Sequence, residues 1–88
     1  MIRILYDGKT RMEITGHAGS APKGQNLICA AVTALALTLG ENGEKVRISP
    51  GHGVISGGDP VVYRAMARGF QLLAHSFPQE IHYKCTFG

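Results

Sequence analysis

The sequence lacks several features that mark special structural classes. Only two cysteines and no tryptophan occur among its 88 residues, so a disulfide framework is not expected and both thiols are expected to be reduced. Nine Lys and Arg residues against six Asp and Glu residues give a formal charge of +3, but the cationic residues are scattered singly. Without a basic run, mild basicity permits a ribosomal or RNA partner without requiring one. Direct nucleic-acid binding is therefore not expected.

Long apolar runs are also missing. The longest extends from Leu27 to Leu39, with two threonines inside it, and its 13 residues are too few to cross a bilayer. It is not preceded by the basic region, apolar region and cleavage site that together mark a secretory signal. These features predict a cytoplasmic protein with no membrane partner.

What the chain does have is ordinary globular composition. Its apolar fraction is 44% and its charged fraction 17%, values that favour a packed core over disorder. The length supports one modest core, so residues 1–88 are predicted to form a single domain.

Apolar alternation predicts the strands. It appears over residues 2–6 and 11–15, joined by a turn at Asp7-Gly8, and this pattern indicates a hairpin. Two shorter strands are predicted around residues 46–48 and 53–56, and a last one over residues 81–86. In the hairpin, Met12 and Ile14 are expected on the buried face.

Two helices complete the predicted fold. The first extends from Leu27 to about Leu39, capped by Asn26, and is apolar nearly all round, which predicts that it is largely buried. The second starts at Asp59-Pro60, ends before Pro78, and presents the apolar stripe Val62, Met66, Phe70 and Leu73. The order ββαββαβ predicts an α+β fold, a mixed β-sheet with two helices packed on one face.

The segment between the hairpin and the first helix carries the candidate chemistry. His17 follows the second strand, Cys29 lies 12 positions later, and residues 18–25 between them are expected to form a mobile loop. An ordinary thiol, with a pKa of about 8.5, is only about 3% ionised at neutral pH. In the first turn of a helix, unpaired amides and the helix dipole would favour the thiolate of Cys29, and His17 could take the proton.

A less specific interpretation stands beside this one. Buried cysteines in apolar helices are usually inert packing residues. The remaining candidates, Cys85, His52, His75 and His82, lack metal-ligand spacing and are interpreted as structural or surface residues. Neither a metal nor a cofactor is predicted.

The residues of this segment resemble a known family. "GHAG" followed by "GQNLICAAVTAL" is similar to the ribosomal-processing cysteine protease family, Prp, and "RGFQLLAHSFPQEIHY" is similar to that family's second helix and last strand. The resemblance implies a catalytic dyad of His17 and Cys29 in a homodimeric, cytoplasmic endopeptidase. Its implied substrate is large-subunit ribosomal protein number twenty-seven, from which it removes an N-terminal extension.

The resemblance also implies where the substrate binds. Family substrates carry aromatic residues at the cleavage site, so an apolar groove is expected near Cys29. The loop of residues 18–25 is expected to lead the substrate into it. The expected substrate-binding residues are Gly19, Ser20, Gly24 and Asn26. The family commonly has Asp at the position of Asn26 and an aromatic residue at that of Ser20, so a charge that could orient His17 and some apolar loop surface are missing here.

Two other functions stay open on the sequence. One is a catalytically silent ribosome- or RNA-associated binding module that uses the basic surface. The other is a different thiol chemistry, such as transfer or hydrolysis of a small acyl group.

Overall fold

Two helices lie on one face of a five-stranded sheet. The computed structural model describes residues 1–16, 23–49 and 51–86, with the backbone alone over residues 23–29. The elements are β1 (Ile2–Tyr6), β2 (Arg11–Gly16), α1 (Lys23–Asn42), β3 (Lys45–Ser49), β4 (His52–Ser56), α2 (Pro60–Ser76) and β5 (Ile81–Cys85). The predicted α+β fold with the order ββαββαβ is confirmed.

The sheet is mixed because its last strand enters beside its first. The spatial order is β3-β4-β2-β1-β5. β5 is parallel to β1, and the other three pairings are antiparallel. The β1–β2 hairpin is closed by Asp7, whose carboxylate accepts hydrogen bonds from the backbone amides of Lys9 at 2.8 Å and Arg11 at 3.1 Å.

Strand alternation decides which face of the sheet the helices cover. Ile2, Ile4 and Tyr6 are buried beneath the helices, and the β1–β2 register places Met12 beside Tyr6 on the same face. These side chains belong to one core cluster that also contains the following residues of the other elements: Val32, Leu39, Ile55, Tyr63, Ala67, Phe70 and Ile81. The expected half-buried hairpin is confirmed, with Met12 fully buried and Ile14 partly buried.

α2 starts as its sequence predicts. Asp59 is the N-cap and accepts a hydrogen bond from the amide of Val61 at 2.9 Å, and Pro60 is the first helical residue. The buried face of α2 differs from the predicted stripe. Its buried residues are Tyr63, Ala67 and Phe70, of which only Phe70 belongs to the stripe. The other members of the stripe, Val62, Met66 and Leu73, pack at the margin of the core.

α1 differs from its prediction at its start and in its burial. It begins at Lys23, four residues before Leu27, so Asn26 is a helical residue and its predicted role as N-cap is wrong. From residue 30 onward only Val32 and Leu39 are buried, and Leu37 is 55% exposed. The sheet and α2 cover only one side of α1. The prediction that this helix is largely buried is therefore wrong over its described side chains, although apolar residues lie on every side of it. Among the residues that the structure describes, no helix combines the length and apolar content needed to cross a bilayer.

Tyr63 joins α2 to the sheet and to the turn before the helix. Its ring stacks on that of Tyr6 with centroids 6.3 Å apart and planes at 7°, and its hydroxyl donates to the Gly57 carbonyl at 2.7 Å. Burial raises the pKa of Tyr63 above its ordinary value of 10.0, and the charges of Asp7 and Glu44 raise it further. The folded protein therefore holds this phenolic proton more tightly than the unfolded chain does.

We expect Tyr63→Phe to lower the free energy of unfolding by about 1 kcal/mol near neutral pH, because the hydrogen bond to Gly57 is lost. With a raised folded-state pKa, the stability that comes from the protonated phenol is fully present below pH 10.0 and is lost as pH rises through the folded-state value. The difference in free energy of unfolding between the wild type and Tyr63→Phe should therefore become smaller above about pH 10, as measured by urea titration. A difference that stays constant or grows there would contradict this account.

Candidate active site

A groove lies between α1 and one end of the sheet. Its volume is about 180 Å³. On the helix side it is lined by Val32, Thr33, Ala36 and Leu37. On the sheet side the lining includes Ile14, Ile48, Gly51 and Gly53, with Ile2 and Gly16 at one end. The lining is mostly apolar, which suits an apolar peptide side chain.

Three glycines belong to the groove lining. The register pairs Ile14 with Gly53 and Gly53 with Ile48 on the face that the helices cover. The row beyond it brings the other two glycines together, since the Gly16 amide donates to the Gly51 carbonyl at 2.9 Å. A Cβ built on Gly53 would make an ordinary van der Waals contact with Ile48 Cγ1 at 3.8 Å, so an alanine would fit there. Glycine thus leaves part of the lining without side chains.

Gly16 fixes the point at which the chain leaves the groove toward His17. Its φ of +96° lies in the left-handed region, and a Cβ there would overlap the backbone carbonyl oxygen of Met1. Glycine is therefore required at this position. His17 lies outside the described residues, but it is bonded to a residue that lines one end of the groove.

Cys29 occupies the groove-facing side of α1. Helical residues at spacings of three, four and seven share a face, and Val32, Thr33 and Ala36, which stand at those spacings from Cys29, line the groove. The backbone of α1 therefore carries Cys29 one turn beyond the lining, on the same face. The helix face that lines the groove thus continues to Cys29, and the strand that borders the groove ends at Gly16, the residue before His17.

The early start of α1 changes the electrostatics expected at Cys29. Residues 23–26 form the first turn and hold the unpaired amides, so Cys29, the seventh helical residue, lies in the second turn. The prediction of a nucleophile in the first turn of the helix is wrong. Because the influence of the helix dipole falls off within the first turn, the helix end would stabilise a thiolate at Cys29 only weakly.

The other cysteine is placed unsuitably for this groove. Cys85 carries a free, exposed thiol. Its backbone is in register with Tyr6 at one end of β1, whereas the groove lies at the other end, beside Ile2. Four residues of strand separate these positions, which is about 13 Å at the usual rise. Of the two cysteines, Cys29 is the one on a helix face that borders the groove.

The described histidines offer no substitute for His17. His52 belongs to the groove lining, but its Nε2 lies 3.2 Å from Glu13 Oε2. Strand alternation puts Glu13 on the sheet face that the helices leave open, so the His52 ring lies on that side. His75 is on α2 and His82 on β5, both exposed and outside the lining.

The predicted substrate-binding residues are only partly described. Gly19 and Ser20 lie outside the described residues, whereas Gly24 and Asn26 are in the first turn of α1. Lys23 to Gln25 were predicted as loop and are helical. In the described part of the chain, no group of three or more His, Cys, Asp or Glu residues could hold a metal ion.

Sequence reasoning missed most of the groove lining. Leu37 and Ile48 were counted only as helix and strand residues, and both are exposed while lining the groove. The available signal was the pair Gly51 and Gly53, at alternating positions within or beside a short strand. Alternating glycines in a strand leave one face without side chains.

Solved structures share this fold over nearly the whole chain. A Streptococcus mutans protein, SMU.848, matches with a TM-score of 0.78 and 22% identity, covering 99% of this chain and 93% of that one. The Staphylococcus aureus ribosomal processing protease Prp in complex with a substrate peptide matches with a TM-score of 0.76 and 16% identity, covering 97% of each chain. The same S. aureus protease with a covalently linked product peptide gives 0.72 and 19%, covering 94% and 97%.

Family membership rests on a sequence model. A search of curated proteins found no match. The model of the family described as cysteine protease Prp matches residues 1–82. Because that match includes both strands of the hairpin, both helices and the start of β5, the chain belongs to the Prp family and is a cysteine protease.

Proposed function

We propose that this protease cleaves a ribosomal protein precursor with Cys29 as nucleophile and His17 as general base. The observation that carries the proposal is the apolar groove, which is bordered at one end by Gly16, the residue before His17, and along α1 by the face that Cys29 shares. An apolar peptide side chain seated there would bring its neighbouring carbonyl toward both residues.

The proposed reaction has two steps. His17 accepts the thiol proton of Cys29, the sulfur attacks the scissile carbonyl carbon, and the protonated imidazole gives its proton to the departing amine. Water then attacks the resulting thioester with His17 again as base, which releases the acid and restores the thiol. An imidazolium beside the sulfur stabilises the thiolate directly, so this pairing does not require a helix terminus.

Two comparisons support the reaction and the substrate class. The S. aureus protease of the same fold is described as a ribosomal processing protease, and one of its structures holds a covalently linked product peptide. A cysteine nucleophile forms a covalent thioester with part of its substrate, and a covalently held peptide agrees with such an intermediate. The resemblance of the sequence further implies large-subunit ribosomal protein number twenty-seven as substrate, and a homodimer in the cytoplasm; these stay predictions.

We expect Cys29→Ser to abolish cleavage of the extended ribosomal protein number twenty-seven from the same organism, because a hydroxyl is not activated as a thiol is. His17→Ala should lower kcat by about 10² to 10⁴, the usual contribution of a general base. Mass spectrometry of the new N-terminus measures cleavage.

Two variants are matched controls for Cys29→Ser and His17→Ala, since each removes a thiol or an imidazole elsewhere in the chain. Cys85→Ser and His75→Gln change exposed residues outside the groove lining and should cleave normally. Retained cleavage in folded Cys29→Ser protein, or no cleavage by the folded, reduced wild type, would refute the proposal.

Thiol reactivity gives an independent test. Cys85 is already exposed, so faster alkylation of Cys29 at neutral pH cannot result from better access alone and would indicate a larger thiolate fraction. We expect iodoacetamide to modify Cys29 first, and His17→Ala to remove that preference. Peptide mapping over time measures both rates; slow labelling of Cys29 in the wild type would indicate an inert packing residue.

The groove itself is tested by a pair of leucines. Leu37, 55% exposed, lines the groove, whereas Leu72, 67% exposed, is on α2 outside it. We expect Leu37→Ala to raise KM for a peptide substrate about tenfold with little change in kcat, because part of an apolar contact is lost. Leu72→Ala should leave both constants unchanged. Equal effects of the two variants would show that the groove does not bind substrate.

A further inference from the structure

The sheet face that the helices leave open gathers cationic residues that are separated in the sequence. Strand alternation and register place five of the nine Lys and Arg residues there. They are Arg3 on β1, Arg11 on β2, Lys45 and Arg47 on β3, and Lys84 on β5. All five are exposed. No element of the described chain packs over this surface, which we call the open face.

The strands place one acidic residue on the open face. Of the chain's six Asp and Glu residues, only Glu13 is on a strand with its side chain on this side. Five cations less one carboxylate give the strand residues of the open face a formal charge of +4, whereas the whole chain carries +3. The strands therefore concentrate positive charge on this side of the sheet.

The open face has a cationic margin at each edge and a neutral centre. Lys45 and Arg47 on β3 form one margin, and Arg3 and Lys84 on β1 and β5 form the other. On the central strand β2, the charges of Arg11 and Glu13 cancel.

One row of the register crosses the whole sheet and contains Arg47, Val54, Glu13, Leu5 and Lys84 in that order. At its centre Glu13 is engaged by His52 at 3.2 Å and Arg11 at 4.0 Å. Within the described residues, Arg47 and Lys84 at the two ends have no carboxylate within 4.0 Å. The two margins are about 19 Å apart, at four strand spacings.

The cations are scattered in the sequence, which gave no expectation of direct nucleic-acid binding, but the sheet gathers five of them on one surface. We propose that the open face binds double-stranded RNA through its phosphate backbones. Two cationic margins around a neutral centre complement two phosphate rows on either side of a wide, shallow groove, which is the minor groove of A-form RNA. A second copy of the chain would meet like charge.

The side chains on the open face also favour phosphates over bases. Single strands bind to sheets by stacking their bases on aromatic side chains. Tyr6 and Tyr83 are on the helix-covered face, so the rings that the described strands place on the open face are the smaller imidazoles of His52 and His82. His52 is already engaged by Glu13. We therefore expect the cations to contribute most of the binding, independently of RNA sequence.

The test compares two double variants with equal loss of charge. Arg47→Gln/Lys84→Gln removes one cation from each margin, and Arg64→Gln/Arg68→Gln removes two exposed cations from α2. Binding to a fluorescent RNA duplex is measured by anisotropy between about 0.05 and about 0.2 M salt. We expect the wild type to bind the RNA duplex more tightly than the matching DNA duplex or single strand. The open-face variant should bind at least about tenfold more weakly, with a salt slope shallower by about two.

The α2 variant should bind as the wild type does. The proposal is overturned if the wild type does not bind the RNA duplex at low salt, if both variants lose affinity equally, or if DNA or vesicles of anionic phospholipid bind more tightly. Circular dichroism checks that both variants are folded. Cleavage of a short peptide should be unchanged in the open-face variant, so failure of RNA binding and failure of proteolysis are recorded separately.

Discussion

Burial of one face of the sheet beneath two helices is the constraint on which the other properties of this protein depend. Apolar side chains from four strands point to that side and meet α1 and α2 in a single core. Because successive strand residues point in opposite directions, the same alternation sends Arg3, Glu13 and Lys84 to the other side. One packing requirement thus produces both an apolar interior and a charged surface.

The groove is a local interruption of that packing. Toward the Gly16 end of β2 three glycines join the isoleucines of the helix-covered face, and a groove remains beneath α1. In the proposed mechanism, Cys29 on α1 and His17 directly after β2 act on a peptide held in this groove. Since α1 starts at Lys23, the proposed activation of Cys29 depends on the imidazole more than on the helix dipole. Asn26 supplies no carboxylate, so the proposed pair has no charged neighbour from that position.

Much of the fold could be predicted from local patterns. Alternation located the strands, and Asp59-Pro60 located the start of α2, because a cap and a first-turn proline act on their own backbone. The start and burial of α1 could not be predicted this way. Residues such as Leu37 are apolar in sequence, but their exposure depends on which neighbours the sheet and α2 supply.

The sequence by itself determined the element order, the family and the two candidate catalytic residues, since each depends on residue type and spacing along the chain. Only the tertiary structure decided that Leu37 and Ile48 line a groove and that five scattered cations share one surface. The reason is physical: strand order and register bring together residues that are far apart in the chain, and no local pattern specifies which strands become neighbours.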